Sequence, residues 1–440
     1  MRLPTAKRAM WLRSRRNMFQ RRTSAPGIRR HPQVAGVMVE IVCRSCRKNR
    51  DIRRLLLHLG MKRFVVFAFA SLALLVSCTG EPAGGPDNQG VVLSCAEPEF
   101  LKPGDKIALI SPSYHTPMEN VDTASMILRD WGFEPVVGAN VGKVYLGHYA
   151  GTPKERLEDL EWALKDPSIK AILCNRGGYG TIGLVNMLPE ELIRNNPKWL
   201  IGFSDITTLH CMFTRAGVMS IHGTMCSLMA KTKGADQTST LVRDILTGSL
   251  PEYELPADSL NIPGHATGTL VGGNLCTFSP VLGTDADATM GQDIILFIEE
   301  VEENMSHIDR LINTLLLNGV FDRCKGVILG DFTDCEANLD FGSVEEMICS
   351  YLKDYGIPVL CNFPAGHGDV NLPMLMGAQV TLDVTESGSR LSFNTEGFRK
   401  TVWTDDAIAE VADKERFAVE KQRRLVRMIN FIKHYEGVRK

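Results

Sequence analysis

The sequence predicts an α/β fold with a parallel sheet, and two features of its 440 residues lead to that prediction. From about residue 104, short apolar runs alternate with amphipathic segments, which is the pattern of parallel strands covered by helices on both faces. The composition, 44% hydrophobic and 23% charged, is typical of a globular chain long enough for two or more domains. We therefore expect one domain over residues 98–227 and a second over residues 266–400.

The first predicted domain alternates strands and helices in chain order. Each strand is a short apolar run, and each helix is an amphipathic segment bounded by Pro or Gly. The predicted strands are KIALIS (106–111), EPVVGA, IKAILCN, KWLIGF (198–203) and VMSIHG, and the predicted helices are NVDTASMILRDWG, PKERLEDLEWALKD and one that begins near Asp205.

Residues 228–265 lose this alternation, because they are polar and turn-rich apart from one short helix. We interpret them as a connection between domains. Beyond them, residues 401–440 form a basic amphipathic segment, which favours a docked or solvated helical tail over a membrane element. The elements predicted in between are GTLVGGNL, the strand DIILFIEEV, the helix HIDRLINTLLLNG, the strand KGVILGDF, a helix near 344–354, and the strands IPVLCNF, AQVTLDV and SRLSFN.

The N-terminal segments predict an exported, lipid-anchored protein. Residues 1–60 hold 14 Arg and 2 Lys against two acidic residues, and residues 61–78 read as a short basic region, an apolar run too brief to span a membrane, and Cys78. This resembles a bacterial lipoprotein signal, in which Cys78 is lipidated. We expect translation to begin at Met61, residues 1–60 to lie outside the working protein, and residues 79–97 to be a flexible tether.

Two classes of partner are disfavoured by the same composition. The chain from Cys78 onward is strongly acidic, which argues against nucleic acid as a partner. Cys43 and Cys46 form a C-x-x-C pair without a second pair, and this is a weak zinc signal. No His/His or Cys/His spacing points to a metal, and we expect neither a metal nor a cofactor.

Three predicted strand ends carry candidate catalytic side chains. In open α/β sheets ligands collect at the carboxyl ends of strands. There the sequence places Ser204 and Asp205, then the pair Glu299 and Glu300, then His367 between two glycines. Each has a structural alternative: a helix cap for Ser204 and Asp205, a solvated strand end for the glutamates, and an incidental loop histidine.

Taken together, the three ends favour a hydrolase. The order Ser204, Glu299, His367 is the nucleophile–acid–base order of α/β serine hydrolases. In such an arrangement the histidine takes the serine proton and the carboxylate orients the imidazole. Only one of the two glutamates can face the cleft, because side chains alternate along a strand.

A second class, a dinucleotide oxidoreductase, is suggested by one glycine pattern. Gly178, Gly180 and Gly183 have the G-x-G-x-x-G spacing, and Asp205 follows about twenty positions later. Against this class, the glycines follow the third predicted strand rather than the first. Arg176 precedes them, and Asp205 belongs to the Ser-Asp turn.

Several blocks together resemble the serine L,D-carboxypeptidase family, in order over roughly residues 100–400. They are RGGYG, IGFSDIT, GTLVGGNL, ILFIEEV, HIDR, KGVILGDF and PAGHG. The resemblance implies an N-terminal α/β domain, a C-terminal domain rich in β-structure, an active site in the cleft between them, and a dimer. It implies Ser204 as nucleophile, Glu299 as acid and His367 as base, with the backbone N–H groups of Gly178 and Asp205 as oxyanion hole.

The resemblance also suggests substrate contacts and a reaction. Arg176, Tyr179 and Asn274 are candidate substrate-binding residues. The family commonly has arginine where this chain has His307, which puts fine substrate recognition in question. We expect release of C-terminal D-Ala from murein tetrapeptides in the cell envelope. The alternatives are cleavage of peptide–nucleotide antibiotic conjugates and a non-catalytic, lipid-anchored peptide-binding protein.

Overall fold

The computed structural model describes residues 95–336 and 341–404. The predictions for residues 1–60, for the signal at 61–78 with Cys78, for most of the tether at 79–97 and for most of the tail at 401–440 lie outside these ranges. Within the described ranges, no helix combines the length and the apolar character that crossing a membrane requires.

One sheet is built largely from the first half of the chain. Its strand order is β11-β5-β4-β3-β1-β2, and every neighbouring pair is parallel except β11 with β5. The central strands are almost wholly apolar and buried, as expected for strands covered on both faces. The strands are β1 (Lys106–Ile110), β2 (Glu134–Val137), β3 (Ile169–Cys174), β4 (Trp199–Gly202), β5 (Ser220–His222) and β11 (Met374–Met376).

Helices cover this sheet, and their ends follow local sequence signals. In α2, Thr152 and Glu155 form a reciprocal capping box and Pro153 occupies the first turn, so three neighbouring residues fix the helix start. The helices of this half are α1 (Met118–Asp130), α2 (Pro153–Lys165), α3 (Glu190–Arg194), α4 (Thr207–Arg215), α5 (Cys226–Thr232) and α6 (Gln237–Leu246), with short 3₁₀ turns at Thr181–Leu184 and Ser204–Ile206.

The second sheet is mixed and has the order β10-β9-β8-β7-β12-β13-β6-β14. The strands from β7 to β10 run parallel, whereas β12 is antiparallel to both of its neighbours. The strands are β6 (Ser249–Leu255), β7 (Gly264–Asn274), β8 (Ile294–Val301), β9 (Cys324–Thr333), β10 (Val359–Leu360), β12 (Gln379–Thr385), β13 (Gly388–Phe393) and β14 (Arg399–Trp403).

The helices of the second half connect the parallel strands of this sheet. Asn304 caps α8 and Ser343 caps α10, each by accepting a hydrogen bond from a backbone N–H of the first turn. The helices are α7 (Leu275–Phe278), α8 (Met305–Leu317), α9 (Val320–Arg323) and α10 (Val344–Leu352), with a 3₁₀ turn at Ser279–Val281.

The predicted fold class, α/β with parallel-sheet domains, is confirmed, and the structure differs from the prediction in three segments. Residues 228–265 contain most of α5, all of α6 and the strand β6 of the second sheet, so they are structured beyond one short helix. The last residues of the predicted tether are ordered, since Ala96 pairs with Val218. Residues 401–403 continue β14 as a strand, although a helical tail was expected from residue 401.

The two sheets share their hydrophobic cores. One buried cluster contains both Leu200 of the first sheet and Leu296 of the second, and the other contains both Ile221 and Phe297. The strand β11 joins the first sheet although it lies far along the chain, inside the second predicted domain. Ser204, which follows β4, and Glu299, near the carboxyl end of β8, both lie within hydrogen-bonding distance of His367.

Candidate active site

Ser204 sits on a sharp turn between β4 and α4. Its φ angle is +63°, in the left-handed region that a side chain with a Cβ adopts at a cost of about 1–3 kcal/mol. Backbone strain of this kind is characteristic of a serine presented on a strand-to-helix turn. The buried His210 supports the turn, because its Nε2 lies 2.9 Å from the carbonyl oxygen of Gly202.

The structure brings the three predicted strand-end residues into one chain of hydrogen bonds. His367 Nε2 lies 3.1 Å from Ser204 Oγ, and His367 Nδ1 lies 2.7 Å from Glu299 Oε2. Glu299 is fully buried, while the His367 side chain keeps about 19% of its surface exposed. With Nδ1–H donating to the carboxylate, Nε2 is left free to accept the serine proton.

The two neighbouring glutamates of β8 face different surroundings. Glu299 contacts His367, whereas Glu300 Oε1 accepts a hydrogen bond from Asn274 Nδ2 at 2.8 Å. Glu300 Oε2 accepts from the backbone N–H of Cys276, also at 2.8 Å. The alternation of side chains along the strand separates the two carboxylates.

The loop that carries His367 is held on both sides. The backbone N–H of Asp331 donates to the Ala365 carbonyl at 2.9 Å, and Asn371 Oδ1 accepts from the N–H of Gly366 at 3.0 Å. The Phe203 ring lies 4.9 Å from the imidazole, centroid to centroid. These contacts fix the position of the histidine before any substrate binds.

The acidic groups around His367 stabilise the positively charged form of its imidazole. Burial lowers the pKa of the imidazole. The charge and hydrogen bond of Glu299, with smaller contributions from Glu300 and Asp331, raise the pKa by more than burial lowers it, so it lies above its usual value. The Asp331 carboxyl is itself affected: burial and the Glu299 charge raise its pKa to about 7.

Glycines let the loop after β3 approach Ser204 closely. A Cβ on Gly177 would lie 2.8 Å from Ser204 Cβ and 3.4 Å from the backbone nitrogen of Asp205. Gly178 has a φ of +121°, and a Cβ there would meet the Tyr114 ring at 2.4 Å. The backbone at residues 177 and 178 therefore lies against the serine turn, next to the predicted oxyanion-hole residues Gly178 and Asp205.

The side chain of Asp205 anchors that same loop. Its buried carboxylate accepts hydrogen bonds from Ser113 Oγ at 2.6 Å and from the N–H of Thr181 at 3.0 Å, and Thr181 Oγ1 donates to the Asp205 carbonyl. Burial raises the pKa of this carboxyl, and the hydrogen bonds oppose the rise. A carboxylate engaged in this way fits a structural tie better than the ribose ligand of the dinucleotide hypothesis.

The three predicted substrate-binding residues lie in two different settings. The Arg176 guanidinium stands 5.8 Å from the Tyr114 ring centroid, and the exposed Tyr179 ring lies 6.1 Å from that of Tyr149. Asn274 is buried; its side chain binds Glu300 and caps α7. Arg176 and Tyr179 thus border the serine loop, and Asn274 supports the strand that carries the glutamates.

Sequence reasoning missed one group of potential metal ligands. Ligand atoms of Cys276, Glu303 and His307 lie within 4.8 Å of one another. Glu303 and His307 are spaced i, i+4 around the start of α8, which is a recognisable signal, but Cys276 lies on another element. Only the folded chain joins the three.

The fold and this geometry define a class: an α/β protein with the Ser–His–carboxylate arrangement found in hydrolytic enzymes. Comparison with known families narrows the class. The model described as the LD-carboxypeptidase N-terminal domain matches residues 107–223, and the LD-carboxypeptidase C-terminal domain matches residues 267–382. The chain belongs to the LD-carboxypeptidase family, and the predicted family is confirmed.

Individual relatives agree with this assignment. A Synechocystis protein named as a carboxypeptidase is 35% identical over 65% of this chain and 94% of its own length. A Bacillus subtilis protein named for murein peptide carboxypeptidase activity is 31% identical over 71% of this chain and all of its own. The murein tetrapeptide carboxypeptidase of Pseudomonas aeruginosa is 31% identical over 65% and 94%.

A solved structure agrees as well. The MccF-like protein of Bacillus anthracis superposes with a TM-score of 0.59 at 27% identity, and covers 67% of this chain and 98% of its own. Together with the family match, these relatives support a peptidase.

Proposed function

We propose that the protein is a serine-type L,D-carboxypeptidase that releases C-terminal D-Ala from murein tetrapeptides. The observation that carries the proposal is the continuous hydrogen-bonded chain from Ser204 through His367 to Glu299. The murein substrate is supported by the names of the relatives from Bacillus subtilis and Pseudomonas aeruginosa.

In the first step Ser204 Oγ attacks the carbonyl carbon of the terminal amide. His367 Nε2 accepts the hydroxyl proton, and the buried Glu299 carboxylate stabilises the imidazolium that forms. The raised pKa of His367 suits this step, because the same neighbours that raise it stabilise the positive charge. A positioned base of this kind contributes about 10²–10⁴-fold in rate.

The oxygen of the tetrahedral intermediate needs donors that are already in place. The backbone N–H groups of Gly178 and Asp205 are our candidates, because the loop holding Gly177 lies against both Ser204 and the Asp205 nitrogen. Donors fixed in advance stabilise developing charge without reorganisation. The ties between Asp205, Ser113 and Thr181 keep the two segments together.

The intermediate then collapses and expels the amine of D-Ala, which takes the proton from His367. The remaining peptide is joined to Ser204 as an ester. A water molecule, deprotonated by His367, hydrolyses this acyl-enzyme and restores the serine hydroxyl. Serine supplies the nucleophile and histidine moves the proton, so the proposed reaction requires no metal.

A second candidate reaction is the cleavage of a peptide–nucleotide conjugate. One observation favours it: Tyr179 and Tyr145 are exposed, and Tyr114 and Tyr149 join them in a group of rings beside the serine loop. A planar base could stack on such rings. The non-catalytic alternative has no such supporting observation.

Product masses distinguish these functions. We would incubate the purified full chain with a synthetic murein tetrapeptide, with the same peptide ending in L-Ala, and with a peptide–nucleotide conjugate. The proposal predicts loss of one alanine from the D-Ala peptide alone and an unchanged rate in EDTA. Cleavage of the conjugate alone would favour the second candidate, and no turnover of any substrate would favour the binding protein.

Two further proposals concern place and assembly. We propose a lipid anchor on Cys78, which would hold the enzyme at the periplasmic face of the cell envelope, and a homodimer. The signal-like residues 61–78 motivate the first, and the family resemblance motivates the second. Loss of fatty-acid labelling in Cys78→Ser would support the anchor, and a monomeric mass by light scattering would exclude the dimer.

A further inference from the structure

Three side chains with different metal-binding atoms converge on the Glu300 side of β8. Cys276 comes from α7, Glu303 precedes α8, and His307 lies in the first turn of α8. Their sulfur, carboxylate oxygen and ring nitrogen all lie within 4.8 Å of one another, and each residue is partly buried. None of them belongs to the hydrogen-bonded chain from Ser204 to Glu299.

The donor set selects the kind of ion. Thiolate, imidazole and carboxylate are the ligands that zinc uses in proteins, with a water completing four-coordination when three come from the chain. Magnesium and calcium prefer oxygen ligands alone. We propose that Cys276, Glu303 and His307 form a binding site for one zinc-type divalent cation, with an open fourth position.

The ligands are held in place by their own backbone contacts. His307 Nδ1 already lies 2.6 Å from Glu303 Oε2, so these two face each other. The N–H of His307 donates to the capping side chain of Asn304 at 3.0 Å, and the N–H of Cys276 donates to Glu300 Oε2 at 2.8 Å. A bound cation would replace the hydrogen bond between His307 and Glu303, while the backbone that carries the ligands keeps its contacts.

Local charge also favours a cation. The Glu303 carboxylate lies within 4.8 Å of the Cys276 sulfur, and the Glu300 carboxylate accepts the N–H of Cys276, so two acidic groups lie beside this residue. A dication bound between these elements compensates that charge. This site goes beyond the proposed function, because none of its ligands takes part in the proposed reaction. Zinc binding is measured without any peptide substrate, so its test does not depend on the peptidase activity.

Cobalt is the direct probe, because a thiolate bound to Co²⁺ gives a charge-transfer absorption band in the near ultraviolet. The full chain would carry Cys43→Ser and Cys46→Ser, so that this pair contributes no signal. Titration under reducing conditions should give the band at one equivalent of Co²⁺, and Zn²⁺ should displace it. Cys276→Ser should abolish the band, and His307→Gln should weaken zinc binding by more than about 10-fold.

Cys335 provides the matched control, because it packs against the Glu303 backbone but is not among the three ligands. Cys335→Ser should keep the band and the zinc affinity. The proposal is overturned if the starting protein gives no band, if the band survives in Cys276→Ser, or if Cys335→Ser removes it. The first of these outcomes needs no ligand variant, so a folding failure cannot hide it.

Discussion

Glu299 and Glu300 are consecutive residues of β8 with different contacts. Glu299 Oε2 lies 2.7 Å from His367 Nδ1, whereas Glu300 binds Asn274 and the N–H of Cys276. Both carboxylates are buried. One faces the candidate active site, and the other ties β8 to α7.

Replacing each glutamate by glutamine should therefore affect different properties: kcat for Glu299 and the free energy of unfolding for Glu300. Glu299→Gln should lower kcat by about 10³–10⁴-fold, because the imidazole loses its orienting charge. Glu300→Gln should lower the free energy of unfolding by about 1–3 kcal/mol, because buried hydrogen bonds to a carboxylate are disturbed. Steady-state kinetics and urea unfolding of both variants measure the two quantities. Equal losses of kcat in the two variants would contradict the assignment of Glu299 to catalysis and Glu300 to structure.

The pH dependence of kcat/KM should report His367. The imidazole must be neutral to accept the serine proton, so activity should fall as the pH drops through its pKa, with a midpoint above that of an ordinary histidine. Glu299→Gln removes the main group that raises this pKa, so the midpoint should move to lower pH. Asp331→Asn removes a weaker contributor and should move it less. A midpoint that neither variant shifts would argue against His367 as the base.

Two glycines of the loop after β3 should respond differently to alanine. Gly177→Ala would place a Cβ 2.8 Å from Ser204 Cβ and 3.0 Å from its Oγ, so we expect a large loss of kcat. Gly183→Ala is the control, because an added Cβ there meets no atom within 4 Å. Kinetics and thermal unfolding of both variants test this. Wild-type activity in Gly177→Ala would show that the loop does not crowd the serine.

Backbone strain at Ser204 predicts that the protein is more stable with glycine at this position than with alanine. Ser204→Gly should unfold with about 1 kcal/mol more free energy than Ser204→Ala, because glycine adopts a φ of +63° freely. Both variants lack the hydroxyl and should be equally inactive. Urea unfolding at one pH gives the difference, and a glycine variant no more stable than the alanine variant would contradict the strain.

Strand-end chemistry was predictable from sequence because it is local. Each apolar run that ends in Ser204 or Glu299 shows both the strand and the polar residue that follows it. The strand pattern alone did not show which glutamate faces His367, because that depends on the register of β8 against its neighbours; only the family resemblance pointed to Glu299. The strand pattern of the first domain was readable for the same local reason.

Strands that depend on pairing with distant parts of the chain were not predictable from the sequence. β6 contains Pro251, which weakens a strand prediction, and it is held by β13 and β14 from far along the chain. β11 has three residues, too few to show a period, and it pairs with β5. Cys276 and His307 meet for the same reason, since α7 and α8 are brought together only in the folded chain.

The most direct test of the account is the rate of D-Ala release by Ser204→Ala. The full chain and this variant would be compared on a murein tetrapeptide at equal concentration, with circular dichroism to show that both are folded. We expect a loss on the order of 10⁴-fold or more, because the attacking oxygen is gone. Release of D-Ala by the folded variant at the wild-type rate would contradict Ser204 as the nucleophile.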